Sequence, residues 1–205
     1  ISNAFDILAF FIILIFVAIK ITHAGTPYFN DETWSYGPAV YNMTLNGPSL
    51  LPGSIPAHLS RGHPLLFYFL SSLWLRIFGY SVFNAHLFIV FISALYLIAV
   101  YYFTKKFYGV FPAIVTLILV ALQPLVQTQA AMLLPDLFMA LLTILVLQSY
   151  LLNKVLLFNI YAALLIFTKE TGIAVWLTVF LFDCFQRRRE RVLNIIIAQI
   201  GRAHV

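Results

Sequence analysis

The sequence predicts an all-α fold: a polytopic transmembrane bundle of about six spans, with interfacial helices in its first outer loop. Three observations carry this. The 205-residue chain is 62% hydrophobic and only 9% charged, whereas a water-soluble domain carries about 25% charged residues. The apolar residues fall into long runs, most of them near the roughly 20 residues that a membrane-crossing helix needs. The basic residues cluster between runs, at Lys105-Lys106, Lys154 and Arg187-Arg188-Arg189 with Arg191, as they do on the cytoplasmic side of a membrane protein. These clusters lie between membrane runs rather than on one face, so the net charge of +5 does not point to a nucleic-acid partner. The 20 Phe and 11 Tyr suit aromatic belts at the membrane interfaces. Cys184 is the only cysteine, so no intrachain disulfide can form.

Residues 5–22 make the first span, and no small-residue cleavage site follows them. Residues 23–63 are rich in Gly, Pro, Asn and Ser and form the first outer loop. Within it a helix is expected through Trp34 and Tyr41, kinked by Pro38 and ended by Gly47. Residues 64–78 are apolar except for Tyr68, Ser72 and Arg76, which recur every four residues on one helical stripe. That pattern predicts an amphipathic helix lying on the outer surface. Further runs cover residues 82–104, 110–134 with an interruption at Gln123-Pro124, and 137–152. After an Asn153-Lys154 turn come residues 155–168 and 172–185.

Parity fixes the sidedness. With all the basic clusters inside, Asp136 and Lys169 must be outside. Only an odd number of crossings fits between the first outer loop and Lys105, so 82–104 crosses and 64–78 does not. Asp31, Glu32, His63, Asp136, Lys169 and Glu170 then share the outer interface. Residues 1–199 read as one membrane domain, the amino-terminal part of a longer protein, because 192–200 reads as the start of another span. Residues 200–205 read as a translated sequencing adapter and are excluded from the fold argument.

Several polar residues could carry chemistry. Asp31-Glu32 offers a general base, or a carboxylate pair for a divalent metal with His63 as a further ligand. The alternative is a pair of acids at a helix start, where the dipole favours them. His63-Pro64 opens a helix, and the His could meet a phosphate or simply occupy a loop. Asp136 is an acid at a helix mouth, either functional or a cap. Lys169 could neutralise a leaving phosphate or make a local pair with Glu170. His86, near the outer end of its helix, could face the same pocket or be a hydrogen-bonded helix histidine, the more common case. Gln123, Gln127 and Gln129 surround Pro124, to line a crevice or to repair a kinked helix. Asn42-Met43-Thr44 is a glycosylation sequon.

The conjunction is more specific than any part. Asn30-Asp31-Glu32-Thr33 follows the first span, and Arg61-Gly62-His63-Pro64-Leu65-Leu66 opens a helix ending at Leu75-Arg76-Ile77-Phe78-Gly79. Leu134-Pro135-Asp136 and Phe167-Thr168-Lys169-Glu170-Thr171 come next. In this order the chain resembles the glycosyltransferase C superfamily. The nearest branches are the protein O-mannosyltransferase-like enzymes and the lipid A aminoarabinose transferase, both dependent on polyprenyl-phosphate sugars. The resemblance implies Asp31 as the acceptor-activating carboxylate with Glu32 beside it. It implies His63, Asp136, Lys169 and His86 around the donor phosphate. It also implies a bacterial inner-membrane protein with an outward-facing site, a polyprenyl-phosphate sugar as donor, and a protein, lipid or glycan acceptor. His86 stands where an Arg is expected, and Trp34 where the lipid A branch has Arg. Competing readings are a transporter or channel subunit, which would place ionisable groups near the midplane, and a non-catalytic assembly subunit.

Overall fold

The computed structural model describes residues 2–186, and these hold ten α-helices and no strand. The helices are α1 (Ser2–His23), α2 (Gly37–Asn46), α3 (Ala57–Ser60), α4 (Leu66–Phe78), α5 (Val82–Tyr108), α6 (Val110–Leu122), α7 (Pro124–Gln129), α8 (Asp136–Leu151), α9 (Val155–Thr168) and α10 (Ile173–Phe185). A π-helical turn at Glu32–Tyr36 precedes α2, and a 3₁₀ turn at Glu170–Gly172 precedes α10. The arginine cluster at 187–191, the run 192–200 and the tail 200–205 lie outside the described residues.

Local chemistry explains the breaks. Gly109 alone separates α5 from α6 and takes φ of 94°, a conformation a side chain would resist. Pro124 has no N–H to continue α6, so the run expected over 110–134 divides there and restarts with Pro at the first turn of α7. Gln127 Nε2 donates to the Ala121 carbonyl, and the Lys20 ammonium donates to Gln127 O at 2.7 Å. These polar groups satisfy backbone freed at the break. Ser81 Oγ accepts from Asn84 N at 3.1 Å and caps α5. Asn153 turns the chain between α8 and α9 with φ of 57°, which Asn tolerates better than most residues.

The long helices alternate in direction. Near its start, α1 places Asp6 Oδ1 against Lys105 Nζ (2.6 Å) and Tyr101 Oη (2.7 Å) at the end of α5. Just beyond its end, Ala24 O accepts from His86 at the start of α5, at 2.9 Å. The single-residue link reverses the chain into α6, and short turns reverse it between α8 and α9 and into α10. Tyr150 at the end of α8 donates to Asp183 at the end of α10, at 2.5 Å. The bundle therefore has two distinct ends. The core between them includes Ile89 and Leu97 of α5, Leu117 of α6, Leu141 and Val146 of α8, and Ala162 and Leu165 of α9.

Two helical segments, Ala4–His23 and Val82–Tyr108, are long and apolar enough to cross a membrane. The helices α6, α8, α9 and α10 have 13 to 16 residues, or roughly 20–24 Å at 1.5 Å per residue.

Helix α4 packs at the end of the bundle that carries His86. One α5 residue, Phe88, meets both Phe67 and Trp74 of α4. Trp74 Nε1 donates to Asn84 O at 2.9 Å. The polar stripe of α4 divides. Tyr68 and Ser72 are buried together with the apolar Leu66, Phe67 and Leu75, whereas Arg76 is exposed, as are Leu73 and Ile77. Arg76 Nε donates to Thr44 O at 2.9 Å and closes the last turn of α2. The stripe reads correctly as helical, but Tyr68 and Ser72 meet protein rather than water.

Gly172 packs its Cα against the last turn of α9. A Cβ there would stand 2.7 Å from Leu165 O and 2.9 Å from Leu165 Cγ, and the backbone oxygen cannot yield alone. Gly172→Ala is expected to cost about 1–3 kcal/mol, read as a lower thermal midpoint in detergent.

Candidate functional site

The end of the bundle that carries α4 gathers the ionisable residues singled out in the sequence. The π-helical turn is the first positioning element. Its wide turn buries Glu32, Ser35 and Tyr36 and leaves Asp31, Thr33 and Trp34 outside. Such turns recur at functional sites. Gly37 makes the turn possible, because a Cβ would lie 2.6 Å from Glu32 O and 2.8 Å from the Tyr28 ring. Ser35 Oγ donates to Leu59 O at 3.1 Å and ties the turn to α3.

Asp31 and Glu32 are adjacent in sequence but do different things. Asp31 stays accessible, its carboxylate 4.0 Å from Arg61. Glu32 is 1% exposed and His86 is fully buried. Glu32 Oε1 accepts from His86 Nε2 at 2.8 Å and from the Leu133 amide, and Oε2 accepts from the Phe29 amide at 3.1 Å. The expectation that Glu32 stands beside Asp31 in the chemistry is not met, nor does His86 line an open pocket. Together they join the first loop, α5 and the segment before α8.

The other residues form acid–base pairs drawn from distant segments. His63 Nδ1 lies 3.0 Å from Glu170 Oε2, and Lys169 Nζ lies 3.4 Å from Asp136 Oδ1. The expected local Lys169–Glu170 pair is thus replaced by two long-range pairs, because the 3₁₀ turn sends the neighbouring side chains to different partners. Gln129 Nε2 reaches Asp136 Oδ2 at 3.4 Å, so Gln129 joins the site while Gln127 repairs the helix. The Glu170 carboxyl is held below the usual carboxylate range, chiefly by its hydrogen bond from His63.

Tyr36 and Arg61 were not among the candidates read from sequence. The Tyr36 ring stacks on His63 at 6.2 Å with 6° between planes, and on Tyr68 at 5.7 Å. Burial, reinforced by the charges of Asp136, Asp31 and Glu170, pushes the Tyr36 hydroxyl up to about 12, so it remains a neutral hydrogen-bonding group. Asn30 and Arg61 flank the cluster with φ of 50° each. For Arg61 that is an uncommon backbone state, of the kind concentrated at functional sites. A spacing signal for Tyr36 did exist, since Tyr follows Asp31 within one helical turn or so, but the π-helical widening that turns it inward is invisible in sequence.

A divalent metal on Asp31, Glu32 and His63 does not fit this geometry. Glu32 faces inward to His86 and His63 is engaged by Glu170. Among the described residues no three His, Cys, Asp or Glu side chains converge as a metal site. The sequon also fails to present itself as a loop: Asn42 lies inside α2, and Thr44 is buried with its hydroxyl on Val40 O.

An apolar groove of about 710 Å³ opens beside the cluster. Leu50 and Ile55 of the first loop, Leu65 and Leu66 at the start of α4, and Leu164 and Phe167 of α9 line it, with His63 also on its wall. Comparison with protein-family models, curated proteins and solved structures finds no match to this chain.

Proposed function

We propose that this protein is a multi-pass membrane glycosyltransferase. It moves a sugar from a polyprenyl-phosphate donor to an acceptor hydroxyl at the outer membrane face, with Asp31 as base. One observation carries the reading. Asp31, Arg61, His63, Asp136, Lys169 and Glu170 come from separate segments and meet at one end of the bundle, next to an apolar groove. An amphiphilic phosphate-linked substrate needs this combination of a hydrocarbon path, positive charge at its end and an accessible carboxylate nearby.

The chemistry follows from the pairs. Arg61, His63 and Lys169 each rest on a carboxylate. A phosphate arriving between them can accept hydrogen bonds from the Arg61 and Lys169 cations and lie beside the His63 ring, all already held in place. Asp31 then takes the acceptor's proton as that oxygen attacks the anomeric carbon, and the C–O bond to phosphate breaks with its electrons going to phosphate. The expected roles of His63, Lys169 and Asp136 around the phosphate keep their place. Glu32 and His86 act as the frame behind them.

The bilayer setting is part of the proposal. Exposed Ile7, Phe10, Phe11, Leu14 and Ile15 on α1 call for an apolar solvent. The alternating directions of α1, α5, α6, α8, α9 and α10 support six crossings. The short helices would thin the bilayer locally and bring the polar end level with a lipid headgroup.

The test uses the full-length protein in nanodiscs with a panel of radiolabelled polyprenyl-phosphate sugars. Sugar release or transfer by the wild type, lost in Asp31→Asn, is the expected result. No binding and no turnover with any lipid-linked sugar would sink the reading and leave the transporter and assembly-subunit alternatives.

A further inference from the structure

The imidazole of His63 is held on several sides. Its Nδ1 lies 3.0 Å from Glu170 Oε2. Glu170 is favoured as the carboxylate by that same bond, and a carboxylate oxygen only accepts. Nδ1 therefore carries the hydrogen. The Tyr36 ring lies parallel to the imidazole and restricts its tilt. His63 itself follows α3, with its amide on Ser60 O at 2.9 Å. With Nδ1 committed, the other nitrogen, Nε2, has no hydrogen-bond partner among the described residues. His63 lines the apolar groove, and Glu170 does not. A fixed ring with one nitrogen engaged and the other open, on the wall of a groove, is a built presentation of Nε2.

We infer that Glu170 is a positioning residue: it holds His63 so that Nε2 faces the phosphate of a lipid whose hydrocarbon chain occupies the groove. This deepens the reading given above and rests on it. Glu170 does not touch the lipid. It fixes which ring nitrogen faces the phosphate, as an orienting carboxylate does for a functional histidine. Lys169, on Asp136, and Arg61, near Asp31, supply positive charge around the same headgroup.

Simple charge arithmetic predicts the opposite effect for this residue. Glu170 is an anion near the place where another anion binds, so neutralising it should tighten phosphate binding by Coulomb's law. Positioning predicts weaker binding. The sign of the effect therefore decides the matter.

The experiment measures binding of a sugar-free polyprenyl phosphate to the full-length protein in nanodiscs, for wild type, Glu170→Gln, His63→Gln and the double variant. Glu170→Gln is expected to weaken binding about tenfold, the scale of one charge-assisted hydrogen bond. The double variant is expected to bind no more weakly than His63→Gln alone, because Glu170 acts only through His63. The Glu170 side chain is 57% exposed, so the thermal midpoint should hold and a folding defect is distinguishable from lost affinity. Equal or tighter binding by Glu170→Gln, or additive losses in the double variant, overturns the inference and leaves the glycosyltransferase reading standing. No binding by the wild type overturns both.

Discussion

Asp31→Asn is expected to lower sugar transfer by about 10²–10⁴-fold, the range that a positioned general base contributes. The substitution keeps the size and shape of the side chain and removes its basicity. Asp31 is accessible and lies 4.0 Å from Arg61, so the change strands no buried group, and stability should move by no more than about 0.5 kcal/mol. Donor affinity should be kept, because the phosphate contacts come from Arg61, His63 and Lys169. A loss confined to turnover, with donor KM and the thermal midpoint held, identifies a group acting in the transition state. Activity close to wild type would remove Asp31 from the chemistry and direct attention to Asp136, the acid on the other side of the cluster.

Glu32→Ala is expected to cost about 3–5 kcal/mol, the scale for removing one partner of a buried charge pair. The hydrogen-bond geometry says why. His86 Nδ1 faces the Ala24 carbonyl, which only accepts, so that nitrogen bears a hydrogen. Nε2 faces Glu32 Oε1 at 2.8 Å, and one proton must lie between them. The amides of Leu133 and Phe29 also donate to this carboxylate. Truncating Glu32 leaves a buried imidazole and unpaired amides. Because these partners lie in the first loop, α5 and the segment leading into α8, the loss should appear as a large drop in thermal midpoint and in yield of inserted protein. Replacing both partners, Glu32→Met with His86→Leu, should recover part of the loss, since no buried charge remains. Recovery is incomplete because the amides stay unpaired. A Glu32→Ala protein as stable as wild type would show that the pair does not hold the first loop in place.

Much of the helical layout was legible in the sequence. The apolar runs over 82–104, 155–168 and 172–185 lie close to α5, α9 and α10, because apolar length and the punctuation by Gly109, Pro124 and Asn153 are local properties. Parity of the basic clusters predicted that 64–78 lies on the outer surface rather than crossing; in the structure it is α4, packed on the first turns of α5. What its polar stripe faces was not legible. Tyr68, Ser72 and Arg76 share a helical stripe whether the neighbour is water or protein, and only the docked first loop decides that Tyr68 and Ser72 turn inward while Arg76 stays exposed and reaches α2.

The same division holds for the site. Sequence alone singled out Asp31, His63, Asp136 and Lys169 as candidates and grouped them at one end, because span order and charge sidedness are one-dimensional facts. Only the tertiary structure decided the pairing. Neighbours in the chain, Asp31 with Glu32 and Lys169 with Glu170, part company because a π-helical turn in one case and a 3₁₀ turn in the other send successive side chains in different directions. Which distant residue then meets each of them depends on how loops from separate helices are docked, and no local pattern encodes that distance.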